Sequence, residues 1–493
     1  MRCDTRILKK EGPNILVVAS QNEDVRLGDY LLVTEKERSL VLQVFDENYL
    51  DIDGIEEEVA REEVLLASAQ GVTEDPADVS TISREIRDMR LLHCKARGSI
   101  EHGKYTPRID WIPSRTTSKI TRQNVNEILD SVGARGQRKI KIGKAGRASS
   151  FSVTAEALDG RVTIITGRKE SGKSHLAKMM VRGLLDHGAY CVVFDLNDEY
   201  SSIGLRADGS RTDVAENVVV RKPARDLKFS LAGAGLRSMT SLLQHSLEMP
   251  GTTMREFMRI WEGMESKNEV SMASLGSYIQ MWRCNEFVRD ALYARFYTLS
   301  NSGLFTDAEE KMFSLEEFFS SHPRGGALVI SLSRVSPLNR RMTVELILSK
   351  LVELLEQRAI PPVFLLSEEA HLYLRETYWE DLITRMRHFG VFTTFVTNQP
   401  DAIKQEIYRQ ADNIFLYNFS NDADLSLVAQ ASMVDTDTVK SIVRTLPPRM
   451  CLVLGHAVNN LPVLVSVDEF DSPPSGITRR FFDSRVELTA YSR

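Results

Sequence analysis

The sequence predicts an α/β fold in which a parallel sheet is wrapped by helices and preceded by a small β-barrel. Three observations predict it. From Val162 onward apolar strand-like runs alternate with helical periodicity, the mark of a parallel sheet. Residues 1–70 instead hold short strands separated by turns. At the head of the alternating region lies Gly167-Arg168-Lys169-Glu170-Ser171-Gly172-Lys173-Ser174, directly after the apolar run Val162-Thr163-Ile164-Ile165-Thr166.

That loop fits the phosphate-cradling pattern G-x-x-x-x-G-K-[ST] in the strand-to-helix setting the pattern requires. Its glycines let the backbone curl so that successive N–H groups face a phosphate chain, Lys173 reaches the terminal phosphates, and the Ser174 hydroxyl can ligate Mg²⁺. Gly167, Ser171, Gly172, Lys173, Ser174 and His175 are the candidate contacts to ATP. The competing reading is an ordinary glycine turn.

Composition narrows the class. The 493 residues carry a net charge of −6, so contact with nucleic acid has to come from local patches. Cys3, Cys94, Cys191, Cys284 and Cys451 show no paired spacing for zinc or a disulfide framework, which suits a reducing cytoplasm. Met1–Lys10 is charged and no later run approaches a membrane span, so neither export nor membrane insertion is expected.

Four regions follow in order. Residues 1–75 form the barrel, with strands at Asn14–Ser20, Asp29–Thr34 and Ser39–Phe45 and an acidic, solvated stretch at Ile55–Val64. Residues 76–155 are a mixed connector with helical patterns at Val79–Leu92 and Thr121–Val132. It ends in Gly133–Ser150, which carries Arg135, Arg138, Lys139, Lys141, Lys144 and Arg147 with no acid, and reads equally as a solvated linker or a phosphate-contacting patch. Residues 156–470 are the sheet core. A helix over His175–Leu185 aligns Leu176, Met179, Met180 and Leu184, and strands are expected at Ala189–Asp195, Ala327–Ser333, Pro362–Ser367, Val391–Thr397 and Asn413–Asn418. A long amphipathic helix is expected over Arg341–Arg358. A helical insertion at about 230–320 contains Met254, Phe257, Met258, Trp261, Met281 and Trp282, either as its own core or as a partner groove. A hairpin pairs Met450–Gly455 with Leu461–Val467 across Val458-Asn459-Asn460, and residues 471–493 are a short tail.

A P-loop enzyme needs a second strand that delivers acids. Val363-Phe364-Leu365-Leu366-Ser367-Glu368-Glu369-Ala370-His371 provides one. In such sites one acid holds the magnesium water shell and the next polarises the attacking water, which assigns Glu368 to the metal and Glu369 to the base role. The bland alternative is two solvated acids at a helix start. His371 is expected to support the acids through a hydrogen bond, since no second histidine sits at ligand spacing.

At this point the chain resembles a family. Phe194-Asp195-Leu196-Asn197-Asp198-Glu199-Tyr200, Glu368-Glu369-Ala370-His371, Arg387-His388-Phe389-Gly390-Val391 and Thr397-Asn398-Gln399-Pro400 occur in the order seen in HerA-type DNA translocases of the HerA/FtsK superfamily. The likeness runs from the barrel through Ile142-Gly143 to the hairpin at Gly455–Val467. It implies a RecA-like P-loop core behind an N-terminal barrel, ATP and Mg²⁺ as ligands, and a homohexameric ring that moves double-stranded DNA through its pore. A nuclease of the NurA type or a phage-defence effector would dock on the barrels. By the same resemblance Lys173, Ser174 and Glu369 match phosphate, magnesium and catalytic residues. Gln399 matches a γ-phosphate sensor, Arg387 an arginine given to the neighbouring subunit's site, and Asp195 and Glu199 acids of the cleft. From the residues alone Arg387 reads as a surface arginine with ordinary salt bridges, and Gln399 as a polar strand end.

Two positions depart from the family pattern: Glu368 replaces the usual Asp and Glu170 a usual Gly. An acid in the phosphate loop disfavours nucleotide unless it turns outward. Both departures favour a rival reading, a ring scaffold that templates an effector with ATP as a structural ligand. A small-molecule P-loop kinase is a third option that leaves the barrel, Arg387 and Gln399 unused. Candidate DNA contacts are Arg375, Arg385, His388, Arg206, Arg211, Arg221 and Lys222, each of which by itself reads as an ordinary solvated charge before a DNA ligand.

Overall fold

The computed structural model describes residues 5–50, 88–133, 136–146, 149–373, 384–419, 421–432, 434–473 and 475. Among the described residues, seven antiparallel strands open the chain: β1 (Arg6–Glu11), β2 (Asn14–Ala19), β3 (Tyr30–Glu35), β4 (Arg38–Tyr49), β5 (Arg90–Glu101), β6 (Lys104–Thr106) and β7 (Lys119–Gln123). They pair in the order β1-β2-β5-β4-β3-β7, with β6 on β5. Period-two alternation drives this: Ile15, Val17, Leu31, Val33, Leu40, Leu42 and Val44 fill a separate core, as a small barrel requires.

Three sequence expectations are corrected here. The helical pattern at Val79–Leu92 ends inside β5, where Leu92, Cys94 and Ala96 alternate inward, so the governing period is two; residues 79–87 lie outside the described residues. The first sheet therefore extends to Gln123, beyond the boundary expected at 75. The helix expected from Thr121 begins only at Val125, because Lys119–Gln123 pairs with β3; α1 (Val125–Val132) is capped by the Asn124 side chain, which accepts from the Asn126 N–H. The acidic stretch at Ile55–Val64 also lies outside the described residues.

The basic segment is not a linker. It forms β8 (Lys139–Ala145) and leads into β9 (Ser149–Thr154), an antiparallel pair on the edge of the large sheet. Ile140, Ile142 and Ala145 point inward while Lys139, Lys141 and Lys144 form the solvent face, which explains a run without acids as one side of an amphipathic strand. Arg135 and Arg147 lie outside the described residues.

The core then alternates as expected. β10 (Thr163–Thr166) leads to α2 (Lys173–Asp186), β11 (Tyr190–Asp195) and β12 (Val218–Arg221). The insertion follows as α3 (Leu231–His245), α4 (Gly251–Ser266), α5 (Met272–Met281), α6 (Glu286–Asn301) and α7 (Leu315–Ser321). Phe257 and Trp261 are buried in it and Met254 and Trp282 pack against them, whereas Met258 (39% exposed) and Met281 (73%) face outward. The chain returns through β13 (Gly326–Ser331), α8 (Pro337–Glu356), β14 (Val363–Glu368), α9 (Arg385–Phe389), β15 (Val391–Thr397), α10 (Gln405–Gln410), β16 (Asn413–Leu416), α11 (Asp422–Ala431), α12 (Thr436–Arg444), β17 (Met450–Gly455) and β18 (Val463–Val467).

The eleven strands run β12-β13-β11-β14-β15-β10-β16-β17-β18-β8-β9. Those from β12 to β16 are parallel and the last four antiparallel. The β17–β18 hairpin turns through Asn459 and Asn460, both at positive φ (50° and 61°). The barrel seats on this edge: Tyr30 Oη and Gln43 Nε2 donate to the Pro462 carbonyl at 2.7 and 2.8 Å, and Arg97 reaches Asp435 at 2.9 Å and Thr438 at 3.1 Å.

Candidate functional site

Parallel strands end together, so whatever follows them meets in one cleft. Between β10 and the acid strand β14 sits β15, and the three place Gly167, Thr397 and Glu368 side by side at their carboxyl ends. β11, on the other side of β14, adds Asp195.

The loop has the shape its glycines predict. Gly172 adopts φ 108° at the start of α2, and a Cβ on Gly167 would stand 2.4 Å from that of Tyr417, so neither position accepts a side chain freely. Glu170 also sits at positive φ, 60°, and its side chain is exposed, which removes the electrostatic objection to it while leaving backbone strain. Lys173 is 8% exposed and its Nζ donates to the carbonyls of Gly167 and Arg168 at 2.9 and 2.8 Å. Burial lowers its ammonium to a pKa of about 8, against the upward pull of Glu369, Glu199 and Glu368.

Glu368 (3% exposed) is pushed up to about 8 by burial and then by Glu199 and Asp195. Asp195, fully buried, rises to about 6 from burial although the Tyr200 and Glu199 N–H groups donate to it at 2.9 and 3.0 Å. Glu369 is held differently. It sits at φ 45°, and its carboxylate accepts from Thr397 Oγ1 at 3.1 Å and the Asn398 N–H at 3.3 Å, so the end of β15 aims it. His371 Nδ1 stands 3.7 Å from Glu369 and forms no hydrogen bond, which corrects the expected support role.

The residues fit a magnesium–nucleotide group. Glu368 Oε2 and Ser171 Oγ are buried without a hydrogen-bond partner, and Gly167 and Gly172 take the positive-φ backbone that the phosphate loop requires. Among the described residues no three His, Cys, Asp or Glu side chains form a cage. That suits a metal held largely by phosphate oxygens, water and the Ser174 hydroxyl, with Glu368 beside it.

Some functional contributors carry no recognisable motif. Lys178, one turn after Ser174, is buried with Nζ 3.9 Å from Glu199 and 3.2 Å from Ser475 Oγ. Tyr373 Oη donates to the Glu368 carbonyl at 2.8 Å. The i, i+4 spacing of Ser174 and Lys178 was the available signal for the first; nothing local marked the second. His175 Nδ1 accepts from the Phe470 N–H at 3.2 Å and so faces the C-terminal segment. Gln399 is exposed just beyond β15, beside the acids.

Arg387 lies elsewhere. It follows the opposite, amino-terminal edge of the sheet, where its Nη1 meets Asp412 at 3.2 Å. The structure thus brings together Lys173, Ser174, Glu368, Glu369, Asp195, Glu199 and Gln399 and leaves Arg387 out of its own chain's cleft. Of the candidate DNA contacts, Arg385 stands 3.7 Å from Glu356 at that same edge, and Arg221 lies 5.9 Å from the Phe313 ring centre at the end of β12. His388, Arg206, Arg211 and Lys222 are exposed, and Arg375 lies outside the described residues.

Comparison with known proteins agrees with this architecture. Residues 161–352 match the family model described as "Helicase HerA, central domain". A probable helicase of Methanocaldococcus jannaschii, MJ1565, is 22% identical over 377 residues, 71% of each chain. The DNA double-strand break repair helicase HerA of Saccharolobus solfataricus is 20% identical over 334 residues, 61% of this chain and 63% of that one. Among solved structures, the bacterial conjugative coupling protein TrwB superposes with a TM-score of 0.51 at 13% identity, over 72% of this chain and 94% of that one. TrwB in complex with ADP and Mg²⁺ gives 0.50 at 13% identity, over 73% and 95%. The structural likeness shows the fold alone. No helix among the described residues is long and apolar enough to cross a membrane.

Proposed function

We propose, for a chain whose central region is that of a HerA-type ATPase, that the protein is a cytoplasmic ATP-driven translocase or helicase of double-stranded DNA working as a homohexameric ring. The observation that carries the reading is the convergence of Lys173, Glu368 and Glu369 at three neighbouring strand ends, with Glu369 aimed by Thr397 and Asn398. Mg²⁺, when bound, would neutralise charge developing on the phosphates. Lys173 grips the terminal phosphates, Ser174 and Glu368 hold the metal's shell, Glu369 takes the proton of the attacking water, and Gln399 senses the γ-phosphate. Arg387 serves the neighbouring subunit's site, which agrees with its absence from its own. The barrels form a collar for a nuclease or a defence effector, in DNA end processing or phage defence.

The outward turn of Glu170 weakens the case for a passive scaffold. ATP turnover by purified full-length protein, with and without long duplex DNA, separates the two: a motor accelerates on DNA and a scaffold is indifferent. Lys173→Ala should abolish turnover in both conditions. Retained wild-type turnover in that variant places hydrolysis at another loop.

A further inference from the structure

We propose that Asp412 is the positioning residue for Arg387, fastening that arginine to the base of the phosphate-loop strand so that one subunit's nucleotide state sets the placement of the group it offers the next. The inference rests on Arg387 serving a neighbouring site.

Asp412 immediately precedes β16, and its carboxylate is unusually well fixed for a residue at a sheet edge. Oδ2 accepts from the Val162 N–H at 2.9 Å and faces Arg387 Nη1 at 3.2 Å, while Oδ1 stands 3.9 Å from Arg161 Nη1. Its backbone is tied as well: its N–H donates to the Val162 carbonyl at 2.9 Å, and its carbonyl accepts from the His456 N–H at 3.0 Å. Gly455 approaches so closely that an added Cβ would stand 2.0 Å from the Asp412 carbonyl oxygen.

From Val162 the chain runs directly into β10, which is paired with β15 on one side and β16 on the other and ends at Thr166, next to Gly167. A short strand clamped on both sides moves as a unit. Lys173 holds the Gly167 carbonyl at one end of this rod and Asp412 holds Arg387 at the other. Release of that carbonyl when Lys173 turns to phosphate is therefore coupled, through β10 and Val162, to the seat of Arg387. A neutral acceptor would satisfy the Val162 N–H equally well, so the negative charge has its use in the guanidinium groups. Arg387 is 33% exposed, which leaves its remaining N–H donors able to reach beyond the chain.

Asp412→Asn is close to isosteric and keeps an acceptor for Val162. In full-length protein with assembly verified, it should lower kcat about 10- to 100-fold with KM nearly unchanged, the cost of a misplaced catalytic group. Asp412→Glu should recover part of the loss. The Asp412→Asn/Arg387→Ala double variant should be no slower than Arg387→Ala alone, because Asp412 acts through Arg387. Wild-type kcat in Asp412→Asn, or a double variant slower by the full Asp412→Asn factor, would overturn the proposal. If Asp412→Asn alone does not assemble, rings doped with wild-type chains decide: turnover lost beyond dilution supports the role, and loss by dilution alone overturns it. Full turnover in Arg387→Ala removes the reading on which the proposal rests, whereas an inert Arg387→Ala beside a fully active Asp412→Asn removes the role of Asp412 only.

Discussion

Glu368 and Glu369 are adjacent in sequence and opposite in environment. Glu369 is aimed by hydrogen bonds from Thr397 and Asn398, while Glu368 is buried beside Glu199 and Asp195 and rises to about 8. Since its folded value lies above the unfolded value of 4.5, its neutral form favours the fold: stability is greatest below about pH 4.5 and falls as pH rises through about 8. Glu368→Gln should therefore stabilise the nucleotide-free protein at pH 7 by on the order of 3 kcal/mol, with no gain at pH 4. Thermal unfolding at the two pH values checks it, and an equal effect at both would show that the carboxyl's ionisation is not the cause. The placement of these acids was legible in the sequence as a strand ending in two carboxylates. Their separation was not, because burial and the pull of Asp195 and Glu199 come from another strand and its following loop.

At the scale of elements, the phosphate loop shows how a motif and its backbone can disagree by one residue. Glu170 occupies φ 60°, a conformation that costs an L residue with a side chain roughly 1–2 kcal/mol. Glycine removes that strain but loses more chain entropy on folding, so Glu170→Gly should give a net gain of about 0.5–1 kcal/mol. ATP affinity should change little, because the Glu170 side chain is exposed and not held against the phosphates. Calorimetric titration and thermal melts test both, and weaker binding in the glycine variant would mean that the Glu170 side chain contributes to the site. Strands β10, β11, β13, β14, β15 and β16 were legible because buried parallel strands read as apolar runs. Strand β5 and the β8–β9 pair were not. In β5 the inward residues Leu92, Cys94 and Ala96 include small and weakly apolar side chains, and in β8 the exposed lysines outweigh the alternation of Ile140 and Ile142.

On the scale of the whole molecule, the cleft and Arg387 occupy opposite edges of one sheet, and under the proposed function a single chain would hold halves of two different sites. Arg387→Ala rings should bind ATP and assemble yet lose on the order of a thousandfold in turnover. Mixing them with Glu369→Gln chains should restore part of it, since some interfaces then pair an intact Arg387 with an intact Glu369. No recovery in verified mixed rings would count against the shared site. The barrel enters the same picture mechanically: Tyr30, Gln43 and Arg97 bind Pro462, Asp435 and Thr438, so the barrel is fastened to the β17–β18 hairpin and to α12.

The sequence by itself determined the phosphate loop, the acid strand, the alternating core, the helical insertion and the Asn459–Asn460 turn, because each is written in local periodicity or in residues with restricted backbone choices. Tertiary structure alone decided which acids ionise, which strand ends meet, and where Arg387 is anchored. Those properties arise from pairing across the sheet: Asp412 lies 250 residues from Val162, whose N–H it accepts, and no local pattern encodes a partner at that distance.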